Sequence, residues 1–108
     1  MNKLIVTFFA LMASVAGVVL AADAKAGADV FNKSCKMCHG DGGAVPSPAV
    51  AKMFGVAIPI LGSPEIQAKS DADIRKVITE GKGKMVPAKN VTGSSIDDVI
   101  AYVRTLKK

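Results

Sequence analysis

Tryptophan is absent from this 108-residue chain, and tyrosine and histidine occur once each. Cysteine occurs twice. Each scarcity excludes something. A structural zinc site takes four Cys or His ligands, more than the chain has. A disulfide framework is also excluded, because Cys35 and Cys38 are so close in sequence. A bridge between them would constrain very little of the chain. Aromatic residues make up only 5%, and beyond the N-terminal apolar stretch they are Phe31, Phe54 and Tyr102. A small domain with so few large side chains has a thin core and usually needs a staple. The formal charge is +5, but the lysines are spread out with no dense basic tract, so nucleic acid is not indicated. No repeat, internal linker or convincing strand pattern is present.

The apolar residues are concentrated at the start. Lys3 precedes a run from Leu4 to Leu20, which ends in Val19-Leu20-Ala21-Ala22-Asp23. Small residues at this boundary fit a cleavable export leader, residues 1–21, cut after Ala21 or one residue later after Ala22. The rival reading is a retained membrane anchor, since roughly 18–20 apolar residues span a bilayer. No Cys stands at the boundary, which excludes a lipid-anchored precursor. Residues 22–108 then form one small domain.

That domain reads as all-α. Asp23 can cap a helix over residues 24–32, with Gly27, Val30 and Phe31 on its buried face. Residues 40–48 read as an irregular loop. Residues 49–61 are apolar without clean periodicity, and Pro59 breaks any long helix there. Ser63-Pro64-Glu65 predicts a short helix to about Lys69. Ser70 caps another, with Ile74, Val77 and Ile78 inward and Gly81 ending it. Ser94 or Ser95 is expected to cap a terminal helix, whose buried stripe is Ile96, Val99, Ile100, Val103 and Leu106.

Both cysteines and the histidine fall in one motif, Cys35-Lys36-Met37-Cys38-His39. This is C-x-x-C-H, the attachment signature of a c-type haem. Two thiols at this spacing can each add to a vinyl group on the porphyrin, leaving His39 as the proximal iron ligand. A thioredoxin-like dithiol would follow a strand, and none precedes Cys35. A porphyrin would also supply the apolar mass that the thin core lacks. With no second His, a bis-His iron would need a ligand from a partner. The remaining candidates for the sixth position are methionines. Met37 lies inside the tether and cannot reach the opposite face. Met53 lies in the apolar run, where a core role is the plain alternative. Met85 lies in a Gly-, Lys- and Pro-rich loop between helices, where an apolar side chain needs a reason to be held. Met85 is the favoured ligand. A His/Met pair is the electron-transfer pairing. Gly42-Gly43 is a turn, since no strand flanks it as a phosphate loop requires.

These features together resemble the small bacterial class I monohaem cytochromes c across nearly all of residues 22–108. The resemblance rests on Cys35-Lys36-Met37-Cys38-His39-Gly40, on Gly27 and Phe31 against Val99 and Tyr102, and on Gly81-Lys82-Gly83-Lys84-Met85 followed by Pro87-Ala88. In the family, proline more often follows the ligand methionine directly; here Val86 intervenes. The resemblance implies three to five helices around one covalently bound haem c, with the N- and C-terminal helices crossing. It implies attachment through Cys35 and Cys38 and axial iron ligands His39 and Met85. It also implies a proline carbonyl on the His39 ring nitrogen, assigned to Pro48 with Pro46 as the alternative. The expected function is a soluble, periplasmic, monomeric one-electron carrier rather than an enzyme. Its partners are redox proteins, acidic ones if Lys82, Lys84 and Lys89 ring the haem edge. The alternative is a dedicated haem c subunit of an exported dehydrogenase or sulfur-oxidising complex. A third reading is a ligand-binding haem with a labile Met85.

Overall fold

Capping side chains decide where most of the helices begin. The Asp23 carboxylate accepts the backbone N–H groups of Lys25 and Ala26 at 2.9 and 3.2 Å, and α1 runs Ala24–Ser34. Ser47 accepts Val50 N–H and opens α3, Pro48–Phe54. Ser63 accepts Ile66 N–H and opens α4, Pro64–Gln67. Ser70 accepts Asp73 N–H at 3.1 Å and opens α5, Asp71–Glu80. Each such side-chain acceptor satisfies a backbone donor that has no partner inside the helix. Between α1 and α3 lie the short α2, Lys36–His39, and a 3-10 turn, Asp41–Gly43. The last helix, α6, spans Ser94–Thr105. This computed structural model describes residues 22–108; the candidate leader, residues 1–21, lies outside the described residues. Among the described residues there is no strand beyond an isolated bridge, Lys82 to Met85, and no helix long and apolar enough to cross a membrane.

Three local expectations change. Residues 41–54 are more ordered than a loop and an aperiodic run, because the Ser47-Pro48 pair starts α3 just as Ser63-Pro64 starts α4. Neither Ser94 nor Ser95 caps α6. Gly93 precedes it at φ +57° with no side-chain cap; its carbonyl and that of Thr92 take the N–H groups of Ile96 and Ser95. Gly81 has a positive φ of 77° but an extended ψ of 175°, a conformation that still belongs essentially to glycine.

The polypeptide's own core lies where α1, α5 and α6 meet. Phe31 is fully buried, with Ile74, Ile78, Val91, Ile96, Val99 and Ile100 around it. The α1–α6 crossing is close because Gly27 has no side chain. A Cβ on Gly27 would fall 1.9 Å from the Asp98 carbonyl oxygen and 3.0 Å from Tyr102 Cβ. One turn further along α1, the Phe31 and Tyr102 rings pack tilted at 53° with centroids 5.2 Å apart, an arrangement aromatic pairs favour. The expected pairing of Gly27 and Phe31 with Val99 and Tyr102 is therefore realised.

Arg104 on α6 ties down the smaller helices. Its guanidinium donates to the carbonyls of Gln67 and Lys69 at 2.9 and 2.6 Å and to the Asp71 carboxylate at 2.7 Å. Gln67 in turn donates to the carbonyls of Leu61 and Val103, both at 2.9 Å. The end of α4 and the start of α5 are thus satisfied by one side chain from α6.

Candidate cofactor site

The motif begins where α1 stops. Cys35 donates its N–H to Phe31 O at 2.8 Å, and its own carbonyl accepts the N–H groups of Cys38 and His39 at 3.3 and 3.0 Å. One tight turn therefore carries all three side chains directly off the helix that packs on α6. Gly40 ends that turn at φ +79°, where a Cβ would meet the Val45 carbonyl at 1.9 Å. Ser47 N–H reaches back to Cys38 O at 3.0 Å, so the next segment is folded against the motif. An exposed ion pair, Lys36 with Asp41 at 2.9 Å, brackets it and raises the Lys36 pKa.

Both cysteines are half-buried free thiols. Burial, and then the neighbouring Cys38, push the Cys35 thiol up to about 11. Burial also pulls His39 below its ordinary value, against an opposing influence of the Pro59 carbonyl. His39 is thereby kept neutral, the form in which a ring nitrogen can ligate a metal. Its Nδ1 is buried without a well-formed hydrogen bond, so the Pro59 carbonyl faces the ring but falls short of good geometry.

In the sequence Pro59 reads only as a helix breaker, and the resemblance gives the carbonyl role to Pro48, with Pro46 as the alternative. Pro48 is the first residue of α3, and the carbonyl that opposes the fall in the His39 pKa is that of Pro59. Leu61 N–H donates to Gly43 O at 3.3 Å, which brings the 59–61 segment back beside the motif. That return of the chain is tertiary, and no local signal in the sequence announces it.

Met85 is held by its backbone from both sides. Its N–H donates to Lys82 O and its carbonyl accepts Lys82 N–H, each at 2.9 Å. Gly83 occupies the first central position with φ +56°, as a type II′ turn requires. The turn is seated on Gly81, where a Cβ would meet Met85 O at 2.5 Å and Pro87 Cδ at 3.0 Å. The proline displaced by Val86 thus still packs against this loop. Beyond it, Ala88 N–H donates to Ile78 O at 2.9 Å and fixes the loop to α5. Met85 is half-buried. The other candidate, Met53, is 73% exposed on α3, and Met37 is 82% exposed.

The distribution of exposed apolar side chains fits a haem. The large ones in contact with solvent are Met37, Val45, Met53, Phe54, Val56, Ile60 and Val86. Six of them lie between Met37 and Ile60, and Val86 lies beside Met85. None lies on α5 or α6, whose apolar stripes are covered. A chain that covers the apolar stripes of its later helices and leaves apolar side chains bare in the segment after two thiols and an imidazole is built to receive an apolar group there.

Fold and site together define a small helical c-type cytochrome. Residues 22–103 match the family described as cytochrome c oxidase, cbb3-type, subunit III, and the chain belongs to this family of cytochrome c domains. It carries one haem c. Among solved structures, KustC0563 c-type cytochrome is similar, with 29% identity and a TM-score of 0.64. The similarity covers 76% of this chain and 98% of that one. No curated protein matches the chain.

Proposed function

We propose that this haem c electron carrier works outside the cytoplasmic membrane, after loss of its N-terminal leader, as a soluble one-electron shuttle with His39 and Met85 as axial ligands. The haem supplies a one-electron iron couple when bound. Every other part of the task falls to the chain. Cys35 and Cys38 hold the porphyrin by thioether bonds. His39 is presented on a turn that continues from α1. The bare apolar residues of 45–60 exclude water. The observation that carries the reading is the doubly pinned Met85 turn. A thioether fixed by its backbone suits a permanently six-coordinate iron, which binds no substrate and changes little between oxidation states. A His/Met pair also raises the potential.

Carbon monoxide distinguishes this from a ligand-binding haem. The reduced wild type should not bind CO rapidly at neutral pH, and Met85→Ala should. The variant should also lose the weak red-end absorption of a Met–iron bond. Rapid CO binding by the wild type would refute the carrier reading. A second reading, a haem c subunit of a larger exported redox complex, draws on the 75% exposure of Val86 beside Met85. Stoichiometric co-purification with an enzyme would establish it.

A further inference from the structure

Asp23 is the first residue that the fold holds on every side. Its N–H donates to Asp98 Oδ1 on α6 at 2.8 Å, across 75 positions of sequence. Its carboxylate caps α1 through Lys25 and Ala26, and its carbonyl accepts Gly27 N–H at 2.8 Å. Ala22 is exposed and lies at the rim of a shallow cavity with Asp71, Arg75, Asp97 and Arg104. The acids of that cavity are already engaged, Asp71 with Arg104 and Asp97 with Arg75. Asp98 has no ion-pair partner among the described residues. A carboxylate at the tightest point of the α1–α6 crossing is thus matched only by a neutral peptide N–H.

We propose that the leader is removed after Ala22, so that the nitrogen now seen on Asp98 becomes the α-ammonium of Asp23 and pairs with that carboxylate, fastening α1 to α6. The inference rests on the export reading above and selects between the two cuts that the small-residue boundary allows. Hydrolysis of the Ala22–Asp23 bond by a leader peptidase consumes one water. It leaves a carboxylate on Ala22 and an amine on Asp23, which takes up a proton at neutral pH because its ordinary pKa is near 8. Without a partner, that charge would sit at the positive end of the α1 dipole and oppose the helix. The Asp23 and Asp98 carboxylates reverse the sign of the effect. A cut after Ala21 would place the ammonium one residue further out, where Asp97 is already bound to Arg75.

The test combines the intact mass of the exported holoprotein with denaturant unfolding of four exported, processed forms. These are the wild type, Asp98→Asn, a Gly-Ser insertion between Ala22 and Asp23, and the combination. Asparagine keeps an acceptor for the N–H but removes the charge, and the insertion moves the amine about 7 Å outward. The expected mass begins at Asp23. Each single change should lower the folding equilibrium constant about two- to five-fold, less at high salt. The combination should lose no more than either change alone. A mass beginning at Ala22, or losses that simply add, would overturn the proposal. A purified protein that retains residues 1–21 would instead overturn the export-and-cleavage reading beneath it.

Discussion

Replacing Gly27 with alanine isolates the helix crossing from every other source of stability. On helix propensity alone the change should help, by about 1 kcal/mol, since glycine is a poor interior residue. The crossing reverses that sign. The added methyl would lie 1.9 Å from the Asp98 carbonyl oxygen, less than any real contact. The obstructing atom is backbone within α6 and cannot swing aside, so α1 and α6 must separate by more than an ångström. A gap of that size forfeits a quarter to a half of each dispersion contact along the interface. Overpacking of this kind costs up to about 3 kcal/mol. After the propensity gain, the net loss is about 2 kcal/mol, or a fall of roughly 8–16 °C in Tm for a domain of this size. Gly55→Ala is the control. A Cβ there meets nothing within 4 Å but sits at φ +65°, so it should lose only the left-handed cost of about 1 kcal/mol. Thermal and denaturant unfolding of the holoproteins, followed by far-UV dichroism, measures both. If Gly27→Ala is neutral or stabilising, the helices do not cross where described.

Phe31→Ala should cost on the order of 3 kcal/mol, because the ring is fully buried and its loss leaves a cavity against Tyr102; a loss below 1 kcal/mol in denaturant unfolding would contradict that packing. Arg104→Ala should cost about 1–3 kcal/mol by stripping the Gln67 and Lys69 carbonyls and Asp71 of their shared donor. Arg104→Lys should not restore the loss, since an ammonium lacks the planar fork that reaches all three acceptors. Full rescue by lysine would mean that charge alone is what matters there.

The parts of this molecule that were legible in its sequence are those that local chemistry decides. Asp23, Ser63 and Ser70 are caps because a short side-chain oxygen before an apolar-periodic run has one place to go. Gly27, Phe31, Val99 and Tyr102 could be paired because helical spacing puts each couple on one face. The cofactor could be read because Cys35, Cys38 and His39 are the chain's whole supply of their kinds. What was not legible depends on return of the chain from a distance. Pro59 comes near His39 only after the path through α3 is folded back, and no local pattern sets it apart from Pro46 or Pro48. α3 itself was local and readable, since Ser47-Pro48 repeats the Ser63-Pro64 signal. It was obscured by apolar residues whose faces make no helical stripe, because their cover is to be a porphyrin and not another helix. The Arg104 clamp joins α4, α5 and α6, and no spacing rule anticipates a side chain whose three partners are spread over α4, the link after it and α5.

The division of apolar residues between a covered half and a bare half has a consequence for how the molecule breathes. Amide hydrogens in α1, α5 and α6 lie on a core of protein side chains, so they should exchange most slowly in the protein that carries the prosthetic group. Those of residues 45–60 and of the Met85 turn owe their shelter to it. The chain then comprises two cooperative units of unequal resistance. One is the three-helix frame around Phe31; the other is the segment of residues 45–60 with the Met85 turn. Misassembly, proteolysis and ligand exchange at the iron should all start from the second unit, while the frame keeps the attachment turn in place.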